Sequence, residues 1–599
     1  MPPRAEGESP CPRSSLHTVA LDALPVGAAF FLALVWFSER LTALPLTVPL
    51  AGMAVCVLAW WLRMGRRAFA DAAGDIRSCL RWRPHWETGL CLLLAVASRL
   101  PAILHPWAWA NREAAYAGFP ALRICASVRP GPVFAEGAPY MGTLKGHLAA
   151  ALALLTRSAD FSLLLVLTSL FLYAVCIAAT MSVARRIAGR AAAIATGLYL
   201  ALSPPFVTVF SVNSLGQYVD LLALGGLSLA LLARLLDERL SGRASRGWHF
   251  AIGLTLGVAF WQQPLAVVYI AVVTVAYLLR ARRVRDPWSW YAVAGFCLGV
   301  FPVAIWNWEH AGATSEVVAR TLTPLSQAPA LLHRLSAIAL PLLMGAGRHV
   351  PLAQYAAVRV ALMLAVPGLA IAFAIRSRRA LRDALAGAPT AALLPLLLLL
   401  SNGIIVVAAI HGSQYERPRY VLPAVTATAI HLGVVIEWVW LRWRWLAVGA
   451  LGVIVAWNAV GTLTRPFGGA KKEAFYRQLI AVLDAHGLCS GYADFSIAHP
   501  VTLFTAERIL LSPRLGPTRA WESPRHAQRI GARGVDAIVL RPQDDPRALA
   551  QRLRELHVGF HLLQEPTPLF FGFSRPVTIE ELSGQSSLAD AEEDVVLPQ

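Results

Sequence analysis

The stretch SLLLVLTSLFLYAVCIAATMSVARRIAGRAAAIATGLYLALSPPFV, Ser162 to Val207, decides the fold. Two apolar runs are separated by Arg185, Arg186 and Arg190, and the second ends at Pro204 and Pro205. A helix rises about 1.5 Å per residue, so runs of roughly 17 to 25 apolar residues cross a hydrocarbon layer of about 30 Å. Arginines beside such runs resist translocation and stay on the cytoplasmic side. The stretch therefore reads as two spanning helices joined by a cytoplasmic turn and leaving the membrane on its outer face at the paired prolines.

Working outward, the same pattern repeats along the chain. The 599 residues are 57% hydrophobic and 15% charged, with a mean hydropathy of +0.55. That apolar excess is too large for a soluble core and needs a membrane as solvent. About thirteen spans are expected, near 21–38, 43–62, 88–104, 162–183, 188–203, 217–235, 248–262, 264–280, 288–306, 356–375, 388–410, 418–439 and 444–462. Arginines gather in alternate loops: Arg63 to Arg83, Arg185 to Arg190, Arg234 to Arg246, Arg280 to Arg285, Arg376 to Arg382, and Arg442 with Arg444. These loops are cytoplasmic by the positive-inside rule, which also puts the N-terminus in the cytoplasm. The net charge of +18 is thereby a topology signal spread over many turns, and nucleic-acid binding is not expected. The eight cysteines show no metal-ligand spacing.

Four parts follow. Residues 1–87 hold a cytoplasmic N-terminus and two added spans, and 88–467 form the main membrane domain with a long first outer loop at 105–143. Residues 468–582 change character: AKKEAFYRQLIAVLDAHG is helix-like, while SGYADF, ERILLS and DAIVLR read as short strands. With helices at 524–533 and 545–556 they predict a small extracytoplasmic α/β domain. The tail 583–599 is acidic, lacks aromatics and is expected to be disordered. The fold class is thus an all-α polytopic membrane protein with a C-terminal extracytoplasmic α/β domain.

Transporters and pumps place ionisable groups at mid-depth in their spans. Here they collect at the expected outer surface instead: Arg112, Glu113, Glu136, Lys145, His147, Glu309, His310, Glu316, Arg348, His349, Glu416, Arg417 and Arg419. A carboxylate among cations at a lipid–water boundary suits group transfer from a lipid-linked phosphate, with a base activating the acceptor and cations holding the departing phosphate. Asp220, after NSLGQY at the outer end of its span, is a reserve base, since a carboxylate near hydrocarbon is costly without a role. Arg417 and Arg419 flank Pro418, where a guanidinium either grips a phosphate in two-pronged fashion or simply snorkels to the interface. Tyr116 and Tyr140 are read chiefly as packing residues, with Tyr140 also a candidate substrate contact. Asp494 and His499 are assigned to stabilising a turn.

The first outer loop reads NREAAYAGFPALRICASVRPGPVFAEGAPYMGTLKGHLAAALALL, Asn111 to Leu155. It resembles the first loop of the GT-C membrane glycosyltransferases, the group that includes protein mannosyltransferases and aminoarabinose transferases. In that group an acidic pair followed by alanine opens the loop, and a Tyr-Met-Gly-x-Leu segment closes it. SVARRIAGRAAAIATGLYLALSPPFV, WQQPLAVVYI, RPRYVLPAVTA and GYADFSIAHPVTLFTAERILLSP are similar to further segments of the group, in order, over about residues 88 to 575. The chain departs from the pattern where Arg112 stands in place of the first acid, and at Lys145, a position often acidic.

The resemblance implies a GT-C-like fold and transfer of a sugar from a polyprenyl-phosphate donor to a lipid, glycan or protein acceptor at the outer face of the cytoplasmic (inner) membrane. Inversion would follow from direct displacement, with Glu113 as general base. Arg112, Lys145, His147, Tyr140, Glu309, His310, Arg417 and Arg419 would bind substrate. No cofactor is expected; a single acid in the loop makes a divalent metal less favoured. Two readings stand beside this one: a flippase or transporter of lipid or lipid-linked sugar using the same cations, and a catalytically inactive GT-C relative.

Overall fold

The computed structural model describes residues 86–109, 112–127, 132–135, 138–237, 243–281, 288–310, 314, 328–346, 355–388, 390–409, 418–463, 469–513 and 524–582. The two added spans and the acidic tail expected from the sequence lie outside these residues, as do Glu136, Glu316, Arg348, His349, Glu416 and Arg417.

Helices of eight residues or more are numbered in chain order. The membrane part comprises α1 (Trp86–Ala97), α2 (Arg112–Ser127), α3 (Leu144–Thr156), α4 (Phe161–Ala188), α5 (Arg190–Ala201), α6 (Pro205–Val212), α7 (Tyr218–Asp237) and α8 (Arg243–Gln262). It continues through α9 (Val267–Ala281), α10 (Trp290–Glu309), α11 (Ala356–Arg376), α12 (Arg378–Leu385), α13 (Leu393–Ala409), α14 (Leu422–Trp440) and α15 (Arg444–Leu463). Among the described residues seven helices are long and apolar enough to cross a membrane, or eight if the bent pair α5–α6 counts as one span. Of the thirteen expected spans, those at 21–38 and 43–62 lie outside the described residues; of the other eleven, seven are met by long apolar helices, 188–203 is the first limb of the bent pair, and 88–104, 248–262 and 388–410 are not among them, for local reasons. The expected span at 88–104 breaks after α1, where Pro101 opens a separate short turn. That at 188–203 ends at Pro204, and the chain turns by 76° into α6. In the 248–262 region α8 begins with Arg243 and Arg246, and α13 is described over 17 residues, the lower edge of a crossing.

Arg99 secures the bend. Its guanidinium is 1% exposed, donates to Ser211 Oγ at 2.9 Å and Ser203 Oγ at 2.8 Å, and also binds the carbonyl oxygen of Ala201. A proline pair removes backbone donors, and a buried arginine supplies replacements where the helix stops. The core of the bundle is α14, nearly all of whose residues from Leu422 to Val434 are buried. At another crossing, Gly253 and Gly257 of α8 face Gly295 and Gly299 of α10, so close that an added Cβ at any of the four meets backbone atoms of the partner helix. Such four-residue spacing of glycines on both partners lets helices associate through backbone contact where hydrophobic burial offers little gain.

A hairpin, β1 (Phe134–Ala135) and β2 (Ala138–Gly142), lies between α2 and α3. The far end of α8 anchors it: Trp261 Nε1 donates to the carbonyl of Val133 at 2.9 Å, and the side-chain oxygen of Gln262 accepts from the amide of Leu144 at 3.0 Å.

The C-terminal unit is a three-layer α/β structure built on a sheet of order β4-β3-β5-β7-β6. Its strands are β3 (Ser490–Ala493), β4 (Leu510–Ser512), β5 (Ala537–Val539), β6 (His561–Leu563) and β7 (Leu569–Phe571). The first three are the segments read as strands; they pair in parallel, and β7 closes antiparallel on β5. Alternation sorts the side chains between two cores. Ala537, Val539, Leu511 and Leu569 meet α16 (Gly469–Ala485) and α17 (Phe495–Phe504) on one face. Ile538, Leu510 and Phe570 meet α18 (Pro524–Arg533) and α19 (Pro546–Glu555) on the other.

Candidate active site

The site forms at the end of the bundle that carries the C-terminal unit, where α2, β2, α3, the turn before α7 and the turn before α14 converge. Glu113 lies in the first turn of α2, where a carboxylate is favoured by the unsatisfied amides and the positive end of the helix dipole. Facing it across the site is Arg419, in the single turn Pro418–Val421 that leads into α14. A guanidinium nitrogen of Arg419 stands 3.5 Å from Glu113 Oε1, with the two side chains 15% and 17% exposed. Arg419 also lies over the rings of Tyr420, at 5.2 Å, and Tyr218, at 6.0 Å. Tyr140 of β2 is near enough to share its electrostatic field. Among the described residues one carboxylate, one guanidinium and three phenols thus gather at a partly open site.

Behind this pair sits a second one, and it is sealed. Lys145 Nζ is 3.0 Å from Asp220 Oδ2, and both side chains are fully buried. Lys145 was expected at the rim of the loop. It is instead turned inward because the hairpin hands α3 to the bundle with Lys145 in its first turn, directly against the first turn of α7. Asp220, the reserve base, is correspondingly committed to Lys145.

The turn that delivers Tyr218 and Asp220 is strained. Gly216 and Gln217 both adopt left-handed backbone conformations, at φ 56° and 59°. Glycine does so freely, whereas glutamine does not. The Gly216 carbonyl accepts from Gln263 Nε2 at 2.8 Å, which pins the turn, while the fully buried amide of Gln217 finds no hydrogen-bond partner among the described residues. Strain and an unsatisfied amide of this kind concentrate at functional sites.

The remaining sequence candidates divide. Tyr140 is at the site. His147, one turn into α3, places Nδ1 2.8 Å from the carbonyl of Thr143 and lies 6.4 Å from the ring of Trp261. Glu309 and His310 end α10, where the His310 ring stacks on Trp306 at 3.6 Å and Trp306 meets Phe134 of the hairpin edge-on. Through Trp306 the His310 ring belongs to the hairpin's support, with Thr314 donating to the carbonyl of Pro139 at 2.7 Å. Arg112 begins α2, but its side chain is outside the described atoms. Asp494 caps α17, accepting from the amide of Ser496 at 2.8 Å, as a turn-stabilising residue should. His499 does not share that role: it is buried against α2 of the membrane part.

Sequence reasoning missed Tyr218 and Tyr420. Both were legible only as neighbours of singled-out positions, Asp220 and Arg419. For a metal, no group of three or more His, Cys, Asp or Glu side chains gathers among the described residues.

The helical bundle, its first-loop hairpin and the α/β unit together make a fold found in a solved structure. The structure is similar to that of ArnT from Cupriavidus metallidurans in its apo state, with a TM-score of 0.50 and 14% identity over 84% of this chain and 99% of that one. ArnT bound to undecaprenyl phosphate gives a TM-score of 0.49 at 14% identity, over 81% of this chain and 97% of the other. The archaeal oligosaccharyltransferase AglB from Archaeoglobus fulgidus, in complex with an inhibitory peptide and a dolichol-phosphate, gives 0.44 at 12% identity, over 82% and 74%. No family model and no curated protein matches the sequence. At these identities the likeness is one of fold, and the chemistry must be argued from the side chains.

Proposed function

We propose that the protein is a membrane glycosyltransferase that moves a sugar from a polyprenyl-phosphate donor to a lipid, glycan or protein acceptor at the outer face of the cytoplasmic membrane. The observation that carries this reading is the partly open Glu113–Arg419 pair, a carboxylate and a guanidinium side by side, with the guanidinium over the rings of Tyr218 and Tyr420. A guanidinium binds phosphate with two parallel hydrogen bonds, so the donor phosphate competes for Arg419. Glu113 is then free to take the proton from the acceptor hydroxyl. That oxygen bonds to the anomeric carbon as the carbon–oxygen bond to phosphate breaks, and the electron pair of the broken bond stays on the phosphate beside Arg419. Attack opposite the leaving group inverts the anomeric centre. The partly exposed rings of Tyr140 and Tyr420 offer apolar walls for the sugar or the first isoprene units.

Lys145 and Asp220 are proposed to hold the hairpin against α7 and lend the site a fixed floor. Among the described residues Glu113 is a single carboxylate, poorer than the several oxygens that magnesium or calcium gathers, so the transfer is proposed to run without a metal. The N-terminus is proposed to be cytoplasmic and the C-terminal unit outside.

The test supplies purified protein with a panel of radiolabelled undecaprenyl-phosphate pentoses and hexoses plus membrane-derived acceptors, comparing the native chain with Glu113→Gln. Turnover is expected to fall by about 10² to 10⁴, the range for removing a general base. Movement of lipid across vesicles without bond cleavage would instead make the protein a flippase, and full activity in Glu113→Gln would remove Glu113 from the mechanism.

A further inference from the structure

The C-terminal unit touches the helix that carries Glu113, and the contact bears on that residue's aim. Pro120 stands inside α2. Proline lacks an amide hydrogen, so the carbonyl of Tyr116 loses its helical partner and residues 112–119 are only loosely coupled to the rest of the helix. Their orientation must come from tertiary contacts. On one side these belong to α17: Tyr116 and Phe119, each 1% exposed, meet His499, with ring centroids at 5.0 Å and 5.7 Å. The Tyr116 hydroxyl lies 3.4 Å from His499 Nε2, Phe495 adds a third ring at 6.1 Å from Tyr116, and Leu503 covers Gly118. Tyr116 is one turn from Glu113 and on the same side of the helix, as the three-residue spacing requires.

The histidine is itself held rigidly. Asp494 caps its helix, and Pro500 frees the carbonyl of Ser496, which accepts the Tyr476 hydroxyl at 3.0 Å. A stiff donor or acceptor on the C-terminal unit therefore meets a hinged catalytic helix through one buried polar contact and a cluster of rings. Resting on the reading of Glu113 as the base, we infer that His499, acting through Tyr116, is a positioning residue that sets Glu113 for attack, so that the C-terminal unit is part of the active-site machinery rather than an appendage.

The experiment uses the full-length protein in detergent or nanodiscs with Tyr116→Phe, His499→Phe, the double variant, His499→Gln and Glu113→Gln. Tyr116→Phe and His499→Phe should each lower kcat on the order of 10- to 100-fold, the scale of a small misplacement of a reacting group, while donor KM stays within about twofold. The double variant should be no slower than the worse single one, since both remove the same contact. His499→Gln, whose amide reaches the Tyr116 hydroxyl, should recover most of the rate. Independently of activity, hydrogen–deuterium exchange should quicken across 113–119 and stay unchanged across 121–127.

Native kcat in both phenylalanine variants, with Glu113→Gln inactive, overturns the inference and leaves the proposed function standing. Additive losses in the double variant, or equal quickening of exchange along the whole of α2, overturn it as well by showing a general loosening. If Glu113→Gln keeps full activity, the proposed function and this inference fall together. If His499→Phe does not fold, Tyr116→Phe, which removes a single oxygen, decides alone.

Discussion

Two ion pairs lie one behind the other at the domain-bearing end of the bundle, and they differ in almost everything except charge. Lys145–Asp220 is closed, at 3.0 Å and fully buried; Glu113–Arg419 is longer, at 3.5 Å, and each partner keeps about a sixth of its surface open. A buried pair costs desolvation on both sides and is held by mutual need, so losing one partner strands the other charge. A partly exposed pair contributes little to stability and can exchange one partner for a ligand. The contrast separates a sealed pair from an open one, the latter being the pair proposed to react.

That comparison can be broken most sharply at Asp220. Replacing Asp220 by Ala should destabilise the protein by about 3 to 5 kcal/mol, and Lys145→Met by a similar amount, whereas the double variant Lys145→Met with Asp220→Leu should recover most of the loss. Thermal melting in detergent reads this directly. Comparable melting of single and double variants would show that the pair is not closed in the membrane.

At the open pair the effect moves from stability to binding. Arg419→Ala should leave the melting temperature nearly unchanged and weaken binding of undecaprenyl phosphate by about 10-fold or more, the loss of a charge-assisted bond of about 1.5 to 3 kcal/mol. Titration by calorimetry or fluorescence checks it. Unaltered affinity would place the phosphate elsewhere.

The smallest effect concerns a third pair, in the C-terminal unit. Glu507 accepts from His526 at 3.0 Å and from Arg529, and the His526 ring meets Phe119 of α2 edge-on. Burial works against the Glu507 carboxylate, but these two partners outweigh it and bring the group down to about 2. A carboxyl depressed on folding contributes stability that is complete above its unfolded value near 4.5 and is lost as pH falls toward about 2. Native melting temperatures should therefore decline over that window, and Glu507→Gln should flatten the decline. An identical acid profile in the variant would count against the pair.

Much of the architecture was readable from composition and pattern. The arginine-punctuated apolar runs mark α4 and α5, and the short segments SGYADF and DAIVLR mark β3 and β5, because both signals depend on neighbours a few residues apart. Span number was less legible, since Pro101, Pro204 and Pro205 turn apolar stretches into breaks and bends whose repair depends on Arg99, Ser203 and Ser211. Glu113 and Arg419 could each be singled out, but nothing local says that they meet. Lys145 was misplaced for the same reason: hydropathy places a lysine at a surface unless the distant carboxylate that accompanies it inward is known.

The sequence by itself determined the membrane class, the α/β character of the C-terminal unit and the residue types available at one end of the bundle, because periodicity and charge bias are local properties of the chain. Only the tertiary structure decided which charges are sealed together, which stay open, and that a histidine 383 residues beyond Tyr116 touches the helix of Glu113. Pairing of ionised and aromatic groups depends on distance and burial in three dimensions, and neither quantity is written in the order of the residues.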